Sequence, residues 1–287
     1  MAIELKQQTV VVSNIDEMRK ISQSLQGQTM GLVPTMGYLH EGHLSLVKQS
    51  LEKCDHTVVS VFINPRQFGP KEDLDIYPQN LSGDIEKLES LSVDVVFNPK
   101  QKAIYPEGFK THVMVEEITK HLCGKSRPQF FKGVATVVLK LFNIVRPQYA
   151  FFGEKDWQQL AVIETMVRDL NMDVKIHRVP LRREPNGLAM SSRNSNLSSK
   201  EIKQALSLPR SLKDSKEKIK QGIISSIELR QNIRNIISAE PGVQIDYISI
   251  CDPISLKEKE IVKGRTLIAL AVKIGSTRLI DNCIIGD

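Results

Sequence analysis

Short runs rich in β-branched residues recur along the first 180 positions, each followed by a stretch that can form a helix, and this alternation narrows the fold more than any other feature. Thr9–Val12 (TVVV), Gly31–Thr35 (GLVPT), Thr57–Ile63 (TVVSVFI), Val93–Phe97 (VDVVF), Tyr149–Gly153 (YAFFG) and Val174–Val179 (VKIHRV) are mostly too apolar to have one wet face. They predict strands of a parallel sheet covered by helices on both sides. The intervening helices are expected from Ser13–Asp16, where a hydroxyl precedes an acid by three residues, and over His43–Lys53, Leu81–Leu91, Thr136–Val145 and Trp157–Leu170. Residues 1–181 are therefore expected to form an α/β domain, a Rossmann-like doubly wound parallel sheet.

After Pro180 the pattern changes. Two helical stretches, Ser198–Ile219 and Ser225–Ala239, precede three strand-like runs, Val243–Ile250, Thr266–Ile274 and Thr277–Ile285. Helices followed by consecutive strands predict a smaller α+β domain over residues 182–287. Charge divides at the same place. Residues 1–181 hold 21 Lys+Arg and 21 Asp+Glu, leaving 18 and 12 of the chain's 39 and 33, so the net +6 falls in the back third. That asymmetry suits an anionic ligand. Nucleic acid is disfavoured, because Tyr247 is the one aromatic residue there available for stacking.

Several classes are excluded or set aside. No run of eighteen apolar residues is present to span a bilayer. The opening MAIELKQQTV has acid and amide residues where a secretory peptide needs an apolar core, so a cytoplasmic protein is expected. Cys54, Cys123, Cys251 and Cys283 form no C-x-x-C pair, which points to reduced, mostly buried thiols.

Three segments carry chemistry. In PTMGYLHEGHLSLV (Pro34–Val47), a buried strand ends at Thr35 and a loop containing Gly37 leads through His40-x-Gly42-His43 into a helix. Ligands of open parallel sheets bind beyond the carboxyl ends of strands, and a helix N-terminus there favours an anion. Two imidazoles three residues apart can face one phosphate, and Gly42 lets it approach backbone. A zinc peptidase helix needs ligands at i and i+4, whereas HEGH spaces them at i and i+3. In FFGEKDWQQL (Phe151–Leu160), Lys155 and Asp156 follow another strand; they suit phosphate and ribose, or equally a solvated turn with a capping aspartate. GLAMSSRN (Gly187–Asn194) can wrap phosphate oxygens, although read alone such a loop is more often a linker or cap.

Together with VFINPRQFGPKEDLDIYP (Val61–Pro78) and GVATVVLKLFNIVRP (Gly133–Pro147), these segments resemble the pantoate–β-alanine ligases, within the nucleotidyltransferase group that carries a His-x-Gly-His signature. The resemblance runs over nearly the whole chain. It implies two steps: the carboxylate of pantoate attacks the α-phosphate of ATP, and the amine of β-alanine then displaces AMP. It implies that Met36, Gly37, Tyr38, Leu39, His40, Glu41, Gly42 and His43 bind ATP, with His43 as proton donor. Gly153, Glu154, Lys155 and Asp156 would hold the nucleotide, joined by backbone at Arg182 and by Met190, Ser191, Ser192 and Arg193 over the phosphates. His40, Lys155 and Arg193 would support His43 in catalysis. Gln67 and Gln159 would hold pantoate, with Gln67 also near β-alanine, Asn64 close by and Arg127 on the β-alanine side. The resemblance also implies Mg²⁺ on the phosphates, with Asp84 as its outer-shell partner, and a homodimer formed mainly through the front domain.

Elementary chemistry agrees with that division. A carboxylate with pKa about 4 is already ionised, so its attack on ATP needs cations rather than a base. Amide side chains suit the hydroxyls of pantoate because they donate and accept without adding charge. The chain departs from the family pattern at Phe130, where histidine is common, at Trp157, where tyrosine is common, and at Arg182 and Asn186, where apolar and aspartate residues are usual. A related alternative is a nucleotidyltransferase that stops at a phosphate-linked product.

Overall fold

The computed structural model describes residues 9–70, 72 and 74–286. The opening MAIELKQQ and, within VFINPRQFGPKEDLDIYP, Lys71 and Asp73 lie outside the described residues. In chain order the first elements are β1 (Val10–Val12), α1 (Ile15–Ser24), β2 (Met30–Thr35), α2 (Glu41–Lys53), β3 (His56–Val61), α3 (Leu81–Ser90), β4 (Val95–Phe97) and α4 (Gln101–Ile104). Then come α5 (Cys123–Ser126), α6 (Phe130–Val145), β5 (Tyr149–Gly153), α7 (Trp157–Asp169) and β6 (Lys175–Val179). The last are α8 (Ser199–Ala205), α9 (Ser207–Lys220), α10 (Ser226–Ser238), β7 (Val243–Cys251), β8 (Thr266–Ile274) and β9 (Thr277–Ile285). They form two compact units. One contains the described residues up to Val115, Gln129–Glu154 and Gln159–Pro180; the other contains Glu116–Pro128, Lys155–Gln158 and the residues from Leu181 on.

The first unit is built on a six-stranded parallel sheet in the order β1-β4-β3-β2-β5-β6. Val12, Leu32, Val33, Val58, Val59, Val95, Val96 and Phe97 have no exposed surface, as strands covered on both faces require. β2 pairs with β3 along its whole length, from Met30↔His56 to Thr35↔Val61. With β5 it pairs only at Gly31↔Tyr149 and Leu32↔Ala150. The carboxyl ends of β2 and β5 are therefore untied, at the place where the order of connection reverses. Such a switch point is where open α/β sheets take ligands.

Helix boundaries depart from the sequence expectation where tertiary contacts intervene. Asn14, not Ser13, caps α1, its side chain accepting from the amides of Asp16 (2.8 Å) and Glu17 (3.3 Å). α6 starts at Phe130, a turn and a half before the expected Thr136, and runs through Gly133. A Cβ at Gly133 would lie 2.2 Å from the carbonyl oxygen of Arg66, so the glycine lets this helix touch the turn that carries Gln67. Gly133→Ala is expected to cost about 1–3 kcal/mol through that overlap, read as a lower midpoint in urea unfolding.

In the second unit β7, β8 and β9 form an antiparallel meander, with a bulge between Ile245 and Tyr247. Leu229, Ile233 and Ile237, four residues apart along α10, pack with Leu208 and Leu212 of α9 in one core with Ile250, Ile268 and Leu270. The expected helix Ser198–Ile219 is two helices, α8 and α9, meeting at Leu206. Pro209 has no N–H for the carbonyl of Ala205 and its ring crowds that carbonyl, which breaks the ladder there. Cys123 and Cys251 are buried, Cys54 and Cys283 half-buried, and all four are free thiols. Burial pushes Cys54 and Cys283 up to about 11 and Cys251 up to about 12, so these three stay protonated at neutral pH. Among the described residues, no helix is long and apolar enough to cross a membrane.

Candidate active site

The loop from β2 to α2 takes an unusual path. Gly37 (φ 85°) and Tyr38 (φ 54°) both lie in the left-handed region, and a Cβ at Gly37 would come within 3.0 Å of an oxygen of Asp84. Asp84, on α3 and 1% exposed, holds this turn: its Oδ2 accepts the amide of Tyr38 and its Oδ1 that of Leu39, each at 2.7 Å. One turn along α3, Lys87 donates through Nζ to the carbonyl of Leu39 at 2.7 Å. Thr35 Oγ1 accepts the amide of Gly37 at 3.2 Å. A buried carboxylate, an ammonium and a hydroxyl thus fix the backbone that leads into the histidine pair.

His40 is the N-cap of α2. Its Nδ1 accepts the amide of Gly42 at 3.1 Å, and Nδ1 of His43 reaches back to the amide of His40 at 3.4 Å. The rings stack at 4.0 Å between centroids, inclined by 31°. With Nδ1 engaged as an acceptor, each neutral ring carries its proton on Nε2. The expected i, i+3 pair therefore comes together at a helix N-terminus. Glu41 is exposed and faces Lys48 at 3.6 Å, which leaves its backbone as the group directed to this turn.

Asn64 and Gln67 lie beyond the tip of β3. Gln67 Nε2 contacts Met36 Sδ at 2.9 Å, which joins the expected pantoate residue to the expected nucleotide loop. Asn64 Nδ2 donates to Gln67 Oε1 and to the carbonyl of Gly133, both at 3.1 Å. Tyr105, which the sequence reading missed, donates its hydroxyl to Asn64 Oδ1 at 2.8 Å. Gly153 ends β5 and Glu154 follows it; Gln159 is half-buried on α7. The adjacent Gln158 has a structural task in the second unit. It accepts the amide of Cys123 and donates to the carbonyls of Ile118 and His121.

The remaining expected residues belong to the second unit. Lys155 faces Asp156 at 3.6 Å, and its carbonyl accepts Asn282 Nδ2 at 2.8 Å. The carbonyl of Arg182 accepts the amide of Met190 at 3.0 Å, and Ser191 Oγ accepts that of Arg193 at 3.3 Å. Ser192 is buried. Arg183 anchors this loop through two 2.8 Å bonds to the buried Asp281, next to Asn282 on β9. Two neighbouring residues of one strand thereby hold both the Lys155 turn and the serine loop. Arg127 points Nη1 at Cys123 Sγ, 3.8 Å away. Of the departures, Trp157 is buried and donates to the carbonyl of Pro253 at 2.8 Å, Asn186 Oδ1 accepts the amide of Leu188, and Phe130 meets Phe131 edge-on.

Among the described residues, no three His, Cys, Asp or Glu side chains converge as a metal cage. Both oxygens of Asp84 already accept amides, so it suits contact with an ion through water rather than direct ligation. Magnesium needs few protein ligands when phosphates supply the rest, and this donor set fits an ion carried by a nucleotide.

Comparison with known proteins bears on this geometry. A model of the pantoate-beta-alanine ligase family matches residues 10–284. The pantothenate synthetase of Acetivibrio thermocellus is 52% identical over 277 residues, covering 96% of this chain and 99% of that one. The pantothenate synthetase of Geobacter sulfurreducens is 49% identical over 279 residues, covering 96% and 99%. A crystal structure of pantothenate synthetase from Thermus thermophilus superposes with a TM-score of 0.91 at 43% identity, covering 95% of this chain and 98% of that one. A pantoate-beta-alanine ligase from Francisella tularensis, complexed with beta-gamma ATP and beta-alanine, gives 0.81 at 39% identity, covering 96% and 97%.

Proposed function

The chain belongs to the pantoate–β-alanine ligase family, and from that membership we infer that it joins pantoate to β-alanine at the expense of ATP. The observation that carries this reading into the site is the stacked His40–His43 pair at the head of α2, beyond the tip of β2. In the first step an oxygen of the pantoate carboxylate bonds to the α-phosphorus of ATP and pyrophosphate leaves. Charge builds on the α-phosphate oxygens as five-coordinate phosphorus forms. The Nε2–H groups of His40 and His43 and the amides at the start of α2 are the donors directed to it. In the second step the amine nitrogen of β-alanine bonds to the acyl carbon, and the bond from that carbon to the AMP oxygen breaks.

Nucleotide contacts at Met36–His43, Gly153–Asp156, Arg182 and Met190–Arg193 are part of the same proposal. Lys155 and Arg193 are directed to phosphate and Asp156 to ribose. Gln67 and Gln159 bind pantoate, with Asn64 beside them and Arg127 serving β-alanine. Mg²⁺ carried by the nucleotide would neutralise charge on the phosphates, and Asp84, which also holds the loop, is the residue that would help to keep it there. A homodimer and a cytoplasmic setting complete the reading.

Labelled pyrophosphate should exchange into ATP only when pantoate is present, and β-alanine should then release AMP and amide product in equal amounts. Exchange that needs no pantoate, or AMP release indifferent to β-alanine, would favour the nucleotidyltransferase alternative. Gln67→Ala is expected to raise the KM for pantoate by roughly ten- to a hundredfold while leaving that for ATP within about twofold, as loss of a buried specificity hydrogen bond does. Initial-rate kinetics with each substrate varied in turn checks this, and an effect confined to ATP would move Gln67 to the nucleotide.

A further inference from the structure

The geometry assigns Tyr105 as a positioning residue for pantoate: acting through Asn64, it holds in place the Gln67 amide that faces the substrate. The inference rests on Gln67 binding pantoate. It begins with two backbone groups whose roles cannot be exchanged. The amide of Arg66 can only donate, and it lies 3.3 Å from Asn64 Oδ1; the carbonyl of Gly133 can only accept, and it lies 3.1 Å from Asn64 Nδ2. The orientation of the Asn64 amide is thereby set. The hydroxyl of Tyr105, 2.8 Å from Oδ1, must then donate, and Gln67 Oε1, 3.1 Å from Nδ2, must accept. Gln67 is left to present Nε2 on the side of Met36. An amide turned this way offers hydrogen to its ligand, which suits the carboxylate or hydroxyl oxygens of an α-hydroxy acid.

Surroundings hold the tyrosine in this role. Asn64 is 1% and Tyr105 9% exposed, so neither exchanges its partner for bulk water. The Arg66 guanidinium lies over the Tyr105 ring at 4.6 Å and over Phe109 at 4.7 Å, and the two rings meet edge-on at 5.2 Å. Burial pushes the hydroxyl up to about 12, against a smaller opposing influence from Arg66. It therefore keeps its proton, and its capacity to donate, at neutral pH. Without that donor, Oδ1 keeps only the long Arg66 bond, so the Asn64 amide keeps its orientation but is held less firmly, and with it the Gln67 amide.

Tyr105→Phe is expected to raise the KM for pantoate roughly three- to tenfold, the range for losing one hydrogen bond, with kcat and the KM for ATP within about twofold. Placed on Gln67→Ala, the same change should add nothing further, because the amide it holds is gone. A purely structural tyrosine would instead give additive effects or disturb all substrates alike. p-Aminophenylalanine at position 105, which keeps the ring and an N–H donor, should restore the KM. If Tyr105→Phe does not fold, Asn64→Ala gives the matching comparison, since alanine has neither an acceptor for Tyr105 nor a donor for Gln67. Additive effects, or an unchanged pantoate KM in Tyr105→Phe while Gln67→Ala raises it, would overturn the role of Tyr105. No pantoate effect in Gln67→Ala itself would overturn the pantoate assignment on which the role depends.

Discussion

His43→Ala is expected to lower the rate of pantoate-dependent pyrophosphate exchange by about 10²–10³, the usual consequence of deleting one donor aimed at developing oxyanion charge. The variant also removes a structural contact, because Nδ1 of His43 accepts the amide of His40 at 3.4 Å. The two losses separate in His43→Asn. An asparagine Oδ1 occupies nearly the position of Nδ1 and can still take the His40 amide, but nothing then extends to where Nε2–H stood. His43→Asn is therefore expected to match the wild type in thermal melts and His43→Ala in exchange rate. If either variant exchanged label at the full rate, His43 would have no part in charge stabilisation. If His43→Asn alone recovered the rate, its contribution would be the capping contact.

The pair was legible because its signals are local: a strand, a loop with glycine, and two histidines one helical turn apart. The alternation of the first 180 residues was legible for the same kind of reason, since strands buried on both faces show it in their own composition. What escaped is set by contacts between residues distant in the chain. α6 starts before the expected Thr136 and passes through Gly133, a weak helix former whose reason for being there is a carbonyl at Arg66, far off in the chain. Tyr105 and Asp281 carry no motif; their roles arise from a buried hydroxyl meeting Asn64 and a buried carboxylate meeting Arg183. Adjacent Gln158 and Gln159 are alike in sequence, and only family resemblance singled out the second. The stretches Glu116–Pro128 and Lys155–Gln158, which cluster with the second unit, bear no compositional mark of doing so. Pro209, by contrast, was a readable break in the expected helix Ser198–Ile219.

Asp84→Ala is expected to be the second most damaging of these substitutions, and it separates two roles that one carboxylate can hold. Its oxygens accept the amides of Tyr38 and Leu39 at 2.7 Å each, in a turn where Gly37 and Tyr38 already occupy left-handed backbone. Removing it leaves two inward-facing donors without that acceptor, at about 1–3 kcal/mol apiece if no water replaces it. The loop would then relax away from the path that aligns His40 and His43. Ligand-free Asp84→Ala should melt several degrees below the wild type, and its exchange rate should fall by at least about tenfold. Asp84→Asn keeps the size but turns one donor toward another, so an intermediate loss of melting temperature is expected. A carboxylate that served only the hydration shell of magnesium would behave otherwise. Its loss would raise the Mg²⁺ concentration needed for half-maximal exchange and leave the ligand-free melting temperature untouched. Melts without nucleotide, set beside a magnesium titration of exchange, distinguish the two; an unshifted melt would remove Asp84 from the support of the histidine loop.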